Sequence, residues 1–165
     1  MYNNVLSVPM LAEVNDPKVA YTFHSYEPLI FTHQGAYWVD GMPSDFRIAY
    51  PNTIENYRES SKMLSQELAG AIFEGDLPEV GPAFFEALFQ PALKIAEERD
   101  IPLYCGEYGV IDQADTESTL HWYRTITSVF DKYHIGRAAW TYKGMDFGLT
   151  DPHMNPILPQ VLPLL

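Results

Sequence analysis

The stretch IPLYCGEYGV, residues 101–110, decides the fold. It is short, apolar and interrupted by glycines, which is the pattern of a strand buried on both faces in a parallel sheet. It begins just after a helical pattern, Ala83 to Arg99, and its tip carries a carboxylate, Glu107. Because a buried strand that follows a helix indicates a βα unit, the sequence predicts an α/β protein with parallel strands.

Predicted strands and helices alternate along the rest of the chain. The run VAYTFHSYEP, from Val19, alternates in polarity and is rich in β-forming residues, so it predicts a strand that opens into a long loop, about residues 29–52. Long ordered loops in compact domains are more often functional than idle. The remaining predicted elements are helices at Ile54 to Phe73, Ala83 to Arg99 and Glu117 to Tyr133, a strand from Ile135 to Thr141, and a polar loop from Lys143 to Pro156 before the terminal ILPQVLPLL.

The order of these elements brings polar and aromatic side chains to one face. Right-handed crossovers between parallel strands place all strand C-termini together, and in a (β/α)8 barrel that face carries the chemistry. His24, Tyr26, Glu107 and Trp140 fall at or near the C-terminal ends of the three predicted strands. The sequence has no internal repeat and no linker, so residues 1–165 are predicted to form one domain.

The composition narrows the classes of molecule that the chain is expected to bind. The 165 residues include 10 basic and 22 acidic side chains, a formal charge of -12 that repels nucleic acid and anionic membranes. The chain has 11 tyrosines, 9 phenylalanines and 3 tryptophans, and aromatic faces hold the apolar faces of sugar rings, although core packing explains such residues equally. The first residues, MYNNVLSVPM, do not resemble a signal peptide, so no localisation is predicted, and no apolar stretch is long enough to span a bilayer.

The candidate residues each have a structural alternative. Glu107 lies in Cys-Gly-Glu-Tyr-Gly, where the glycines allow a ligand to approach closely, but a partly buried carboxylate can also belong to a structural ion pair. His24 and Tyr26 are two apart on a strand and therefore share a face. A satisfied core histidine and a packed tyrosine fit the same pattern, and Trp140 could equally plug the core.

Three segments resemble the matching blocks of family 5 glycoside hydrolases, the cellulase family of (β/α)8 barrels. They are YTFHSYEPLIFTHQGAYW, PLYCGEYGV and GRAAWTYKGMDFGL, and they occur in the order of the family. The resemblance covers essentially the whole chain and implies strands six, seven and eight with their helices. The expected fold is therefore a partial (β/α)8 barrel, the C-terminal part of a complete one.

The resemblance also implies roles for individual residues. The glutamate of the glycine-flanked seventh-strand motif is the catalytic nucleophile in the family, which corresponds to Glu107. The sixth-strand histidine and tyrosine, His24 and Tyr26, bind substrate and orient that nucleophile. The eighth-strand tryptophan, Trp140, forms the floor of the sugar site, and Trp38 in the long loop either stacks on a sugar or packs within its loop.

The implied reaction is retaining hydrolysis of β-1,4-glucan, which requires a second carboxylic acid about 5 Å from the nucleophile. The family supplies this acid/base from an Asn-Glu-Pro motif on the fourth strand, and this sequence contains no Asn-Glu-Pro. Two hypotheses follow. The chain is an endoglucanase-like enzyme, impaired by the absent acid/base, or it is an inactive truncated barrel that binds glucan oligosaccharides or serves as an oligomeric scaffold.

An open partial barrel is expected to need a cover. Three parallel strands leave an exposed edge and an uncovered interior face, and a homo-oligomer buries identical surfaces on each copy. Such an assembly would also allow Glu107 or a loop carboxylate of one copy to approach the site of another. The loop carboxylates considered for this are Glu27, Asp40, Asp45 and Asp146.

No metal or other cofactor is expected. His121, His134 and His153 share no spacing typical of a metal site. The single cysteine, Cys105, is expected to be a small buried filler rather than a reactive group. The predicted partners are therefore β-glucan oligosaccharides or polysaccharides and further copies of the chain, not nucleic acid or a membrane.

Overall fold

The computed structural model describes residues 3–65 and 77–165, which form an α/β arrangement. The strands are β1 Tyr21–Ser25, β2 Leu103–Tyr108 and β3 Gly136–Arg137. The α-helices are α1 Leu29–Thr32, α2 Ile54–Ser61, α3 Pro82–Arg99, α4 Thr116–Lys132 and α5 Leu158–Val161. Short 3-10 helices span Val5–Met10, Pro152–Met154 and Leu162–Leu164.

The three strands form one parallel sheet in the order β1-β2-β3. Parallel strands need a crossover connection, usually a helix. The crossover from β1 to β2 ends in α3, and α4 forms the crossover from β2 to β3. The parallel α/β arrangement predicted from the sequence is thus present.

Capping and turn residues determine where the two long helices begin and end. Asp115 caps α4 by accepting a hydrogen bond from the Ser118 amide at 2.9 Å. Helix α3 starts with Pro82 in its first turn and ends at Asp100, whose φ of 52° is left-handed. That left-handed turn leads the chain directly into β2.

Aromatic side chains form the core between the sheet and its helices. Phe23 of β1 contacts Phe89 of α3 with ring centroids 5.5 Å apart, and Phe89 stacks on Phe130 of α4 at 5.7 Å. Phe130 in turn contacts Tyr108 of β2 at 5.3 Å. All four side chains are fully buried, so burial of aromatic area holds α3 and α4 against one face of the sheet.

The other face of the sheet has no such cover in the described ranges. Thr22 of β1 is exposed, and Tyr104 of β2 keeps 40% of its surface exposed. This face corresponds to the interior of the predicted barrel. A closed barrel fills that interior with side chains, so the sheet presents a surface that a complete barrel would bury.

An extended segment at the start of the described chain lies along the free edge of β1. Asn4 forms a parallel bridge with His24, and the His24 amide donates to the Asn3 carbonyl oxygen at 2.6 Å. Since β2 occupies the opposite edge of β1, this segment occupies the place of a preceding strand. The sequence offers no strand signal here, because a two-residue contact has no periodicity.

Three element boundaries differ from the expectations. Strand β3 has two residues instead of the seven from Ile135 to Thr141, although Ala138 and Trp140 still donate amide hydrogens to β2 at 2.9 Å each. The long loop contains helix α1. Helix α2 ends at Ser61, and residues 66–73 of the longer expected helix lie outside the described residues. In the described part of the chain, no helix has the length and apolarity needed to cross a membrane.

Candidate active site

Glu107 lies at the C-terminal edge of the sheet. One of its carboxylate oxygens is contacted by a side chain of β1 and by a side chain of the loop that follows β1. The Tyr26 hydroxyl donates to Glu107 Oε2 at 3.1 Å, and His24 Nδ1 lies 3.3 Å from the same oxygen. The Glu107 side chain is 30% exposed, so it remains open to solvent and to a ligand. Three of the predicted site residues are therefore in direct contact.

A β-bulge brings Glu107 to the side of His24. Phe23 pairs with Cys105, but the next residue of β1, His24, pairs with Glu107 rather than Gly106. Strict alternation would place Glu107 on the same face as the buried Cys105. The extra residue, Gly106, shifts the alternation by one position and turns the Glu107 side chain toward His24.

The glycines beside Glu107 accommodate protein atoms. A Cβ on Gly106 would lie 3.0 Å from Thr22 Oγ1, and a Cβ on Gly109 would lie 2.4 Å from the Trp140 carbonyl oxygen. Close neighbours of these two positions are thus atoms of β1 and of the segment that follows β3. The expectation that the glycines also allow a ligand to approach stays a prediction.

Trp140 lies beside the end of β2, at the same edge of the sheet as Glu107. Its amide donates to the Tyr108 carbonyl oxygen at 2.9 Å, one residue beyond Glu107, and its peptide bond to Thr141 is cis. The Trp140 side chain is partly buried against the core. The structure thus holds its backbone next to Glu107.

The Tyr26 hydroxyl is a permanent hydrogen-bond donor. Burial, and secondarily the neighbouring Glu107 carboxylate, raise the pKa of Tyr26 far above its ordinary value. The phenol therefore keeps its hydrogen at neutral pH. Its backbone is fixed as well, because the Thr32 hydroxyl of α1 donates to the Tyr26 carbonyl oxygen.

A cluster of four rings continues from Tyr26 into the long loop. The ring of Tyr26 contacts His33 at 5.0 Å and Phe147 at 5.9 Å between centroids. Trp38 contacts His33 at 6.3 Å and Phe147 at 6.4 Å. Trp38 is 44% exposed, so it packs within its loop and still presents surface to a ligand. Both interpretations of Trp38 are compatible with this geometry.

Phe147 was not a candidate from the sequence. It is 4% exposed and lies in the loop after β3. The backbone of that loop is closed by hydrogen bonds between Thr141 and the carbonyl oxygen of Phe147, and between Leu149 and the carbonyl oxygen of Thr141. A lone phenylalanine in a polar loop carries no periodic signal, although the block GRAAWTYKGMDFGL does contain it.

His33 is neutral and its tautomer follows from its neighbour. The Thr32 hydroxyl gives its one hydrogen to the Tyr26 carbonyl oxygen and lies 3.0 Å from His33 Nδ1. Nδ1 must therefore carry the hydrogen of that contact, which leaves Nε2 as an acceptor. Burial lowers the pKa of His33 to about 4, so the ring stays uncharged at neutral pH.

Glu27 is a buried carboxyl and not a free loop carboxylate. Asn4 Nδ2 donates to Glu27 Oε1 at 2.7 Å, and Ser25 Oγ donates to Oε2 at 2.9 Å. The residue is 6% exposed, and burial raises its pKa. The notion that Glu27 reaches the site of another copy is therefore wrong, whereas Asp40, Asp45 and Asp146 are exposed.

No second carboxyl of the described residues forms a hydrogen bond or an ion pair with the Glu107 side chain. Within residues 3–65 and 77–165, the hydrogen-bond and ion-pair partners of its side chain are Tyr26 and His24. The same ranges contain no group of three His, Cys, Asp or Glu side chains that could hold a metal ion. The arrangement offers an oriented carboxylate with aromatic surfaces beside it.

Comparison with known proteins finds relatives among the cellulases and endoglucanases. The family model described as Cellulase (glycosyl hydrolase family 5) matches residues 2–146. Endoglucanase C of Acetivibrio thermocellus is 32% identical over an alignment 165 residues long, which covers 99% of this chain and 48% of that protein. The chain thus spans about half the length of this curated relative.

Solved structures show the same fold. An endoglucanase superposes with a TM-score of 0.70 at 23% identity, over 97% of this chain and 44% of that one. A hyperthermophilic endo-beta-1,4-glucanase in complex with substrate superposes with a TM-score of 0.64 at 24% identity, over 91% of this chain and 40% of that one. These neighbours are (β/α)8 barrels, and the three-stranded parallel sheet with its helices is consistent with part of such a barrel.

Proposed function

The chain belongs to glycosyl hydrolase family 5, the cellulase family, and on that premise we propose that Glu107 is the nucleophile for retaining cleavage of β-1,4-glucan. The observation that carries the proposal is the convergence of Tyr26 and His24 on a single oxygen, Glu107 Oε2. Within the described ranges Oε1 has no hydrogen-bond partner. A carboxylate held through one oxygen presents the other in a fixed direction.

In the proposed first step, Glu107 Oε1 attacks the anomeric carbon of a glucose unit. A carbon–oxygen bond forms to the enzyme, the glycosidic carbon–oxygen bond breaks, and the departing oxygen takes a proton from a general acid. Water then hydrolyses the glycosyl-enzyme ester and restores the carboxylate. His24 and Tyr26 hold Oε2 in both steps, and the rings of Trp140 and Trp38 are proposed to stack on sugars of the substrate.

The proposed activity is impaired for unactivated substrates. The sequence contains no Asn-Glu-Pro, the motif to which the family resemblance assigns the acid/base. General acid catalysis is worth roughly 100-fold to 10,000-fold, so a leaving group that needs a proton departs slowly. A leaving group that is already acidic does not need it.

An aryl cellobioside therefore tests the nucleophile separately from the acid. We expect dinitrophenyl cellobioside to release its phenol and to leave a cellobiosyl ester on the protein, detectable as a mass increase. Carboxymethylcellulose should be cleaved far more slowly. Glu107→Gln should abolish both the release and the mass increase, and release that the substitution leaves unchanged would exclude Glu107 as the nucleophile.

A second function, glucan binding without turnover, is favoured by the same absent acid. The rings around Tyr26 and Trp38 need no acid/base residue in order to hold sugars. If the aryl cellobioside is inert while a cellooligosaccharide changes the tryptophan fluorescence, binding is the function. An inert protein that also binds no oligosaccharide would contradict both proposals.

We further propose that a second copy of the chain covers the uncovered face of the sheet. Tyr104 and Thr22 expose apolar and polar surface there, and a symmetric contact buries the same surface on each copy. Light scattering at micromolar concentration should give at least a dimer, and Tyr104→Ser should weaken it. A monodisperse monomer would contradict the proposal.

Residues 1–165 are proposed to fold as one domain. The buried hydrophobic side chains form one cluster that includes Val5 near the start and Val161 near the end of the described chain. A single cluster predicts a single cooperative unfolding transition. Two separated calorimetric transitions would contradict the one-domain proposal.

A further inference from the structure

Tyr37 is the most exposed large hydrophobic side chain in the described ranges. It is 86% exposed and lies in the loop between α1 and α2. An isolated exposed aromatic residue needs no explanation, because apolar atoms make up much of any protein surface. Tyr37 differs because its ring is joined to the candidate active site through other rings.

A continuous line of contacts runs from Glu107 to Tyr37. Glu107 accepts a hydrogen bond from Tyr26, whose ring lies 5.0 Å from that of His33. His33 lies 6.3 Å from Trp38, and Trp38 meets Tyr37 edge to face at 4.8 Å. The outer end of this line is the exposed part, since Trp38 is 44% and Tyr37 86% exposed.

Buried anchors hold Tyr37 and Trp38 in place. Ala36 is 1% exposed and Val39 is 9% exposed, and the Val39 amide donates to the Ala36 carbonyl oxygen at 3.2 Å. The buried Gln34 side chain ties the loop across its base, since it exchanges hydrogen bonds with the backbone of Ile48 at 2.9 and 3.2 Å. The exposed ring is therefore presented by an ordered turn, which lowers the entropy cost of binding to it.

We propose that Tyr37 is the outermost sugar platform of the glucan site and sets a preference for long cellooligosaccharides. It meets Trp38 edge to face, while the residue stays 86% exposed and therefore open to a ligand. A sugar ring has apolar faces and a rim of hydroxyls. The two outer rings match this, because Trp38 and Tyr37 keep exposed aromatic surface and Tyr37 adds a hydroxyl at its rim.

The inference rests on the proposed function, because it extends the same glucan site. A disaccharide bound at Glu107 fills only the innermost sugar positions of the proposed site. A longer chain continues over the exposed ring. Chain length is therefore the variable that separates the contribution of Tyr37 from that of the inner residues.

Calorimetric titration of the purified chain with cellohexaose and with cellobiose tests the inference. Burial of part of one aromatic face predicts that Tyr37→Ala weakens cellohexaose binding about fivefold to tenfold and cellobiose binding less than about twofold. Tyr37→Phe keeps the ring and should bind both sugars like the wild type. Met10→Ala is the matched control, because Met10 is 85% exposed and lies on the 3-10 helix near the start of the chain.

The outcomes separate this inference from the proposed function. If wild type binds both sugars and Tyr37→Ala weakens both equally or neither, the outer platform is wrong and the glucan site stands. If wild type binds neither sugar, the glucan site is wrong and the platform falls with it. A loss confined to cellohexaose, restored by Tyr37→Phe and absent in Met10→Ala, supports the inference.

Discussion

Tyr26 and His24 both contact the same oxygen of Glu107, Oε2, and the other oxygen has neither contact. Tyr26 keeps its proton and donates a hydrogen bond at 3.1 Å, whereas His24 lies 3.3 Å away on the neighbouring strand. A hydrogen bond to a charged group contributes about 1.5–3 kcal/mol. The orientation of the carboxylate therefore depends on both residues and is most directly tested at the tyrosine.

We expect Tyr26→Phe to slow the release of dinitrophenol from the aryl cellobioside about 10-fold to 100-fold, because the oriented donor is lost. The ring contacts with His33 and Phe147 are kept by phenylalanine, so the melting temperature should change little. His33→Gln serves as a control for general disturbance of the ring cluster. An unchanged rate in Tyr26→Phe would show that the hydroxyl does not orient Glu107.

His33 gives a prediction about acid stability. Burial lowers its pKa from 6.5 to about 4, so the unfolded chain binds a proton at a higher pH than the folded protein does. The stability that the neutral ring provides is complete above 6.5 and is lost as the pH falls toward 4. In urea unfolding, His33→Gln should lose less stability than wild type over this interval. Parallel pH profiles for the two proteins would contradict the lowered pKa.

Glu27 gives a prediction of the opposite sign. Burial raises its pKa above 4.5, so the folded protein retains the proton to a higher pH than the unfolded chain, and stability falls as the pH rises through this range. Glu27→Gln keeps the carbonyl acceptor for Asn4 without the ionisable proton. Its stability relative to wild type should increase as the pH rises from 4.5 to neutral, because only the wild type has a buried carboxyl to ionise. A difference that does not change with pH would exclude this cause.

At the scale of elements, the β-bulge in β2 is the decisive feature. It moves Glu107 from the face of Cys105 to the face of His24, which local alternation does not predict. The strand itself, the two long helices and the shared face of His24 and Tyr26 follow from patterns within a few residues. The bulge depends on how β2 pairs with β1, which lies about 80 residues earlier.

The same distinction explains which parts of the candidate site were predictable. Glu107, His24 and Tyr26 were identified because their blocks resemble a known family. Phe147 and the buried state of Glu27 were missed, since both depend on packing between distant segments. Strand β3 is shorter than its apolar run because pairing, rather than composition, determines where a strand ends.

Gly106→Ala tests the bulge. The added Cβ would lie 3.0 Å from Thr22 Oγ1 and 3.8 Å from the His24 ring, so one of these neighbours must move. We expect a loss of about 1–3 kcal/mol in unfolding free energy and a slower reaction with the aryl cellobioside. Gly144→Ala is the control without crowding, because a Cβ there meets nothing within 4 Å, although its φ of 71° adds local strain. Wild-type stability and rate in Gly106→Ala would contradict this role of the glycine.

At the scale of the whole molecule, the net charge opposes association of two copies, whereas the uncovered sheet face favours it. Each copy carries a formal charge of -12, so two copies repel over the distance that salt leaves unscreened. Burial of the exposed face of β1 and β2 favours association. The balance between these two terms depends on ionic strength.

We therefore expect association of the chain to strengthen as salt is raised from low to physiological ionic strength. The dimer fraction measured by light scattering at fixed protein concentration should increase, because screening weakens the repulsion and leaves apolar burial nearly unchanged. Tyr104→Ser should reduce the dimer fraction at each salt concentration. Dissociation on adding salt would indicate that ion pairs, rather than the sheet face, hold the copies together.

The loop base closed by Gln34 has a consequence for the evolution of this site. Its two hydrogen bonds to Ile48, together with the buried Ala36 and Val39, carry the folding of the loop. Position 37, which is 86% exposed, is thereby freed from that task, so new side chains can be tried there at little cost to folding. Substrate preference can then diverge between lineages, or be selected from a single-position library, while the scaffold stays the same.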